Sequence, residues 1–300
     1  MKSFHQSPRA FRFGVIMASG TSRSDWITRC RRVESLGYDV IQVPDHLTLT
    51  APFPAALLAA SVTSRVRVST YVLNAAFWNS AVLAREVATI DEFTDGRFEL
   101  GLGAGYSEND FDAAGIPRQT VRARVDHLRH TVTEVRRLIA DPQVVSRPPI
   151  QQPSPPLLIA GQSYGVLDLV AKHADIAGFT GGRVKKADLG RVIPHDLESL
   201  IERVSYLWTA AGPRAENIEL NIAAQMFEVT DNRTAVANSL SASLPDFSTD
   251  EILRLPTYLI GSVDQIATQL LALREAVGIS YITVADAWMD DFAPVIDKLR

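Results

Sequence analysis

Short apolar runs rich in β-branched residues alternate with longer runs of helical spacing along the whole sequence, and that alternation restricts the chain to few folds. Phe11–Met17, Asp39–Asp45, Arg65–Asn74, Arg97–Gly105, Leu157–Ala160, Asp175–Thr180, Ile218–Thr230 and Tyr281–Asp286 read as strands. Helices are expected from a Ser24 cap to Gly37, at about Pro54–Ser64, and at Ser80–Phe93, Val121–Ala140 and Val166–His173. Three more follow at Asp196–Ala211, at Asp264–Val277 behind the cap-like Ser262, and at Asp291–Leu299. The proline-rich stretch Asp141–Pro156 suits a surface crossing, because the same alternation resumes beyond it. Parallel strands joined by right-handed crossovers give an open doubly wound sheet or a closed barrel, and eight units in 300 residues favour closure. The expectation is a single α/β domain over residues 1–300, a (β/α)8 TIM barrel. Asp231–Leu255 adds extra helical material between strand seven and the last helix.

Several function classes fall away on composition and spacing. A net charge of −4 with no long block of like charges offers no nucleic-acid footprint. The one cysteine, Cys30, forms neither an internal disulfide nor a zinc cluster. No run of eighteen apolar residues and no signal-peptide core occur, so a cytoplasmic location without membrane partners is expected. His5, His127, His130, His173 and His195 lack the spacing of a helical zinc motif, and no phosphate-binding Gly-Lys-Ser/Thr loop is present. Serine-nucleophile chemistry is not expected either.

Active sites of such barrels lie at the C-terminal ends of the strands. Asp45 and His46 end the second strand, where a carboxylate beside an imidazole positions a ligand, handles a proton or anchors a loop. Gly101–Asp110 (GLGAGYSEND) follows the fourth strand; its glycines allow close backbone approach, whether to a flat ligand or to a neighbouring strand. Ile159–Gly165 opens a helix, which presents free amides to a phosphate or forms an ordinary capping turn. Phe77, Trp78, Tyr106 and Trp288 place aromatics at strand-end loops, where they would wall an apolar substrate or pack locally.

Taken in order, the segments 36–46 (LGYDVIQVPDH), 65–111, 155–179 and 286–300 resemble the luciferase-like superfamily of flavin and deazaflavin enzymes, most of all its actinobacterial branch using coenzyme F420. The resemblance implies a luciferase-like barrel that binds F420, with FMN as the alternative cofactor, and a non-prolyl cis peptide at Tyr71–Val72. It implies that Asp45 and His46 lie near cofactor and substrate, Gly105 and Asn109 beside the ring, and Gly161, Gln162 and Ser163 at the cofactor phosphate. Tyr106 stands where deazaflavin sugar-phosphate dehydrogenases of the superfamily place a proton-handling glutamate. The function implied is hydride transfer between F420 and an organic substrate, with C=C or C=N reduction preferred and His46 or Tyr106 as proton donor. A flavin-dependent monooxygenase and a non-catalytic flavin-binding barrel are the alternatives. A small-molecule substrate, a separate reductase supplying reduced cofactor and a second copy of the chain are the partners to expect. Arg183, Lys185 and Lys186 form a candidate landing strip for the acidic tail of F420.

Overall fold

The computed structural model describes residues 9–18, 20, 22–184 and 192–300. Eight strands form the central sheet: β1 (Arg12–Ile16), β2 (Val40–Val43), β3 (Arg67–Thr70, continued by Leu73–Asn74), β4 (Phe98–Gly103), β5 (Leu157–Ala160), β6 (Ile176–Phe179), β7 (Glu219–Ala223) and β8 (Ile279–Ala285). They pair in parallel in the order β3–β2–β1–β8–β7–β6–β5–β4, and β4 pairs back onto both pieces of β3, so the sheet is the expected closed barrel. One helix packs behind each strand: α1 (Arg23–Ser35), α2 (Pro52–Val62), α3 (Ser80–Phe93), α4 (Val121–Ile139), α5 (Tyr164–His173), α6 (Leu197–Ala211), α7 (Val263–Val277) and α8 (Met289–Leu299).

Local sequence sets the helix starts. Ser262 accepts a hydrogen bond from the Gln265 amide and Gln265 reaches back to the Ser262 amide, a capping box that opens α7, while Gly278 at φ 82° closes it. Asn79 caps α3 and Asp196 caps α6 more simply, each side-chain oxygen accepting from first-turn amides with no reciprocal bond. α1 begins earlier than expected, because the cap is Ser22, whose hydroxyl accepts from the Asp25 amide, and not Ser24.

The long seventh strand expected over Ile218–Thr230 is two strands. Glu219–Leu220–Asn221–Ile222 is buried on both faces inside the barrel wall. Beyond Ala223 the chain leaves the barrel, and Met226–Val229 pairs in parallel with Tyr258–Gly261 in a separate two-stranded sheet. Between these two strands lie the expected extra helices, Arg233–Leu240 and Thr249–Ile252, on a small apolar cluster of Ala237, Leu244, Ile252 and Leu255. A hairpin of Gly182–Val184 and Val192–Pro194, which the sequence did not announce, follows β6.

The N-terminal end of the barrel carries a belt of charge beside the apolar cluster of Val40, Leu158, Ile176 and Tyr281. Glu99, 1% exposed, lies 2.6 Å from both Arg12 and Arg67, and Arg12 reaches Glu219 at 2.5 Å. All four residues sit at or beside the first position of their strands, so this belt ties β1, β3, β4 and β7 together away from the mouth. Conserving such pairs matters because a buried charge left without its partner costs about 3–5 kcal/mol.

Closure between β3 and β4 depends on glycine. β3 is interrupted at Tyr71 and Val72, whose peptide bond is cis, as the resemblance implied. A Cβ on Gly101 would lie 2.0 Å from the Thr70 carbonyl oxygen, and one on Gly103 would lie 2.7 Å from Val72 Cγ2. The glycine run is therefore needed first for strand-to-strand approach. Replacing Gly101 by Ala should destabilise the protein by about 3 kcal/mol or prevent folding, since backbone on a central strand cannot yield as a side-chain tip does. Urea unfolding checks this, and a midpoint equal to that of the unaltered protein would contradict it.

Candidate active site at the barrel mouth

The loops after β2 and β4 meet at the C-terminal end of the barrel. His46 Nδ1 lies 2.6 Å from Asp110 Oδ2, and the Tyr106 hydroxyl lies 3.3 Å from His46 Nε2. The Tyr106 ring stands edge-on to the imidazole, with centroids 5.7 Å apart. Asp110 belongs to a short helix, Glu108–Ala113, capped by the Ser107 hydroxyl, and its other oxygen accepts from the Leu47 amide at 3.3 Å. Sequence reasoning did not single out Asp110; its neighbour Asn109, which the resemblance sets beside the cofactor ring, is exposed. The available signal was Ser107 three residues ahead of Asp110, an N-cap spacing that places Asp110 in a first helical turn.

Asp110 is 6% exposed. Burial pushes its carboxyl up, but hydrogen bonds from His46 and Ser107, the nearby imidazole and the Leu47 amide outweigh that, and the group is held below the ordinary aspartate range. An ionised carboxylate only accepts, so His46 Nδ1 carries the hydrogen and Nε2 is left facing Tyr106. Partial desolvation beside the His46 ring and the Asp110 charge push the Tyr106 phenol up, which keeps it protonated near neutral pH.

Of the tasks open to Asp45 beside His46, anchoring a loop is the one its hydrogen bonds serve. Its Oδ2 accepts from the Asn74 amide and from Trp78 Nε1, both at 3.1 Å, and so fixes the turn that follows β3. Burial pushes the Asp45 carboxyl up against the pull of those two donors. The two mouth carboxyls are thus driven apart, Asp110 toward the anion and Asp45 toward the acid.

The remaining expected residues divide. Gly105, at φ 72°, has the backbone only glycine adopts freely, and a Cβ there would lie 2.4 Å from Asn74 Oδ1. Phe77 packs edge-on to Phe111, beside Asp110, while Trp78 packs edge-on to Phe53. Tyr71 donates its hydroxyl to Asn221 Oδ1 at 2.8 Å, across the barrel interior, and Val72 lies against Gly101 and Gly103. Trp288 follows the C-terminal end of β8 and is tilted against Phe227, with centroids 6.2 Å apart.

Gly161, at φ 141°, turns the chain from β5 into α5, and Ser163 is the N-cap residue with no side-chain cap bond. The Gln162 side chain is spent on the Gly182 carbonyl and holds the hairpin against this turn. Gly161–Gly165 spells Gly-x-Ser-x-Gly, contrary to the expectation of no serine-nucleophile pattern. The geometry still argues against a nucleophile: Ser163 has relaxed extended backbone, φ −69° and ψ 148°, in place of the strained turn of a nucleophile elbow. Lys185 and Lys186 lie outside the described residues, and of Arg183 only the backbone is described. Among the described residues no group of histidine, cysteine and acidic side chains is arranged to hold a metal ion, and no helix is long and apolar enough to cross a membrane.

Because the Asp110 acidity is enhanced in the folded state, its stabilising effect is present above the unfolded aspartate value of about 3.9 and is lost as pH falls through the lower folded value. Asp110→Asn should therefore cost about 1.5–3 kcal/mol at pH 7, the range for hydrogen bonds to charged groups. That difference should shrink in strong acid. Urea unfolding of both proteins across pH tests the sign, and a gap that widens on acidification would contradict it.

Comparison with known proteins agrees with this architecture. The profile of the luciferase-like monooxygenase family matches residues 10–281. An F420-dependent glucose-6-phosphate dehydrogenase of Amycolatopsis mediterranei (strain U-32) is 28% identical over 275 residues, covering 81% of this chain and 79% of that protein. The coenzyme F420-dependent tetrahydromethanopterin reductase of Methanopyrus kandleri superposes with a TM-score of 0.75 at 14% identity, covering 97% of this chain and 100% of that one. The oxygenating constituent of 3,6-diketocamphane monooxygenase from Pseudomonas putida, solved with FMN, shares the fold with a TM-score of 0.68 at 17% identity, over 97% of this chain and 96% of that one. With its profile running from ahead of β1 into β8, the chain belongs to the luciferase-like monooxygenase family.

Proposed function

We propose that this protein is a cytoplasmic oxidoreductase that transfers hydride between coenzyme F420 and a small organic substrate, in the direction that reduces a C=C or C=N bond. The observation that carries the reading is the hydrogen-bonded series Asp110–His46–Tyr106 at the open end of the barrel. Similarity to the Amycolatopsis dehydrogenase supports the choice of coenzyme.

The residues present suit a planar ring with a phosphate arm. Gly105 and Gly161 carry no side chain and hold positive φ at the two turns where the coenzyme would pass close to backbone. The α5 start, with no side-chain cap on its first amides, is a place for phosphate, received by the backbone of Gln162 and Ser163, while the Gly161 amide is bonded to the Gly178 carbonyl at 2.9 Å and serves only the turn. The interrupted β3 at Tyr71 and Val72 would support the ring. When bound, the reduced coenzyme supplies the hydride.

The protein's own share is the proton. Reduction of a double bond places hydride on one atom and requires a proton on the other. Tyr106, 64% exposed at the mouth, presents a protonated phenol to whatever lies there, and His46 Nε2 stands behind it to restore the proton. Asp110 holds the imidazole in one orientation. A phenol kept protonated favours donation over the acceptance that a glutamate at this position would serve. The coenzyme would arrive already reduced by a separate enzyme.

The test is anaerobic mixing with reduced F420 and a panel of conjugated carbonyl compounds and imines, beside oxygen uptake with reduced FMN. Recovery of oxidised F420 absorbance with substrate, and no oxygen uptake, is the expected result. His46→Ala should lower that turnover by roughly 10²–10⁴ with little change in coenzyme affinity. Oxygen uptake with reduced FMN would identify a monooxygenase instead, and coenzyme binding without turnover across the panel would favour a non-catalytic barrel.

A further inference from the structure

Arg124, in the first turn of α4, is 9% exposed, and among the described residues no carboxylate pairs with it. Its Nε donates to the Gly105 carbonyl at 3.2 Å and its Nη1 to the Gln119 carbonyl at 2.6 Å. The guanidinium also lies 6.0 Å from the centroid of the Phe111 ring. Gly105 immediately precedes Tyr106, and Phe111 immediately follows Asp110. One side chain therefore grips both ends of the segment that carries the two partners of His46.

A buried guanidinium held by carbonyls alone is an expensive way to pack a loop, because desolvation is not offset by a counter-charge. The groups facing it sharpen this. Arg118 is close enough to disfavour its charge, while Glu108 pairs with Arg118. Asn74 closes the other side of Gly105, so the Gly105 carbonyl is fixed between β3 and α4. A rotation at this point would swing Tyr106 away from His46 Nε2 while leaving the barrel wall intact.

We propose that Arg124 is a positioning residue that sets the distance between Tyr106, Asp110 and His46 by clamping Gly105 and Phe111, a role that rests on the reading of His46 as the proton carrier. It does not touch substrate or the reacting atoms. Its effect passes through the backbone of Gly105 to the phenol and through the Phe111 ring to the carboxylate.

The experiment follows the His46 imidazole by NMR titration in the whole protein, with no coenzyme present. Proteins to compare are the unaltered chain, Tyr106→Phe, Arg124→Met, Arg124→Lys and the double variant Tyr106→Phe/Arg124→Met, each first checked for folding by circular dichroism. Tyr106→Phe should shift the His46 titration, and Arg124→Met should shift it in the same sense by at least half as much. In the double variant the shifts should be less than additive, since the second change removes a contact already lost. Arg124→Lys keeps charge but loses the two-point grip, and should give a smaller shift of the same sense. A folded Arg124→Met protein whose His46 titrates as in the unaltered chain overturns the proposal. Should Arg124→Met not fold, an unshifted Arg124→Lys does so. Hydride transfer with an uncoupled His46 would refute the clamp alone, and a coupled His46 without hydride transfer would refute the proposed function alone.

Discussion

Strand β4 crosses the interrupted third strand so closely that a single methyl group on Gly101 would lie 2.0 Å from the Thr70 carbonyl oxygen. Everything at the mouth depends on that approach. It closes the sheet through the Val68–Phe98 and Leu73–Leu102 pairings, and it delivers the loop that begins at Gly105 to the side of the loop that ends β2. Without it, Tyr106 and Asp110 would have no fixed relation to His46. The charged belt at the opposite end serves the same closure, with Arg12 and Arg67 converging on Glu99.

The mouth holds two carboxyl groups whose surroundings assign them different states. Asp110 accepts from the His46 ring on one oxygen and from the Leu47 amide on the other, and is held toward the anion. Asp45 gives its hydrogen-bonding capacity to Asn74 and Trp78 and is pushed toward the acid by burial. The imidazole between these loops is directed by the first and not by the second. This division follows from which loop carries which donor, since desolvation acts on both.

Much of the fold was legible because the barrel strands are buried on both faces, and such runs stand out between amphipathic helices. The break after Ala223 was not, because Ile218–Thr230 is continuously rich in strand-forming residues. What ends the barrel strand is the capture of the Gln225 amide by the Thr257 carbonyl, a contact with a segment about thirty residues away. In the site, His46 and Tyr106 were reached from their places at strand ends, whereas Asp110 was not singled out. One step along a helix turns a side chain by about 100°, so the choice between adjacent residues needed the cap at Ser107 to fix the phase. Gly105 and Gly161 were found by position, and both hold positive φ.

The central claim is that an ionised Asp110 fixes the imidazole so that His46 Nε2 is the atom where a proton comes and goes. The tautomer of neutral His46, read from nitrogen-15 chemical shifts and couplings in the folded protein above its titration, tests this most directly. The account predicts hydrogen on Nδ1 and a bare Nε2. Hydrogen on Nε2 would mean that Asp110 does not direct the ring, and would contradict the account.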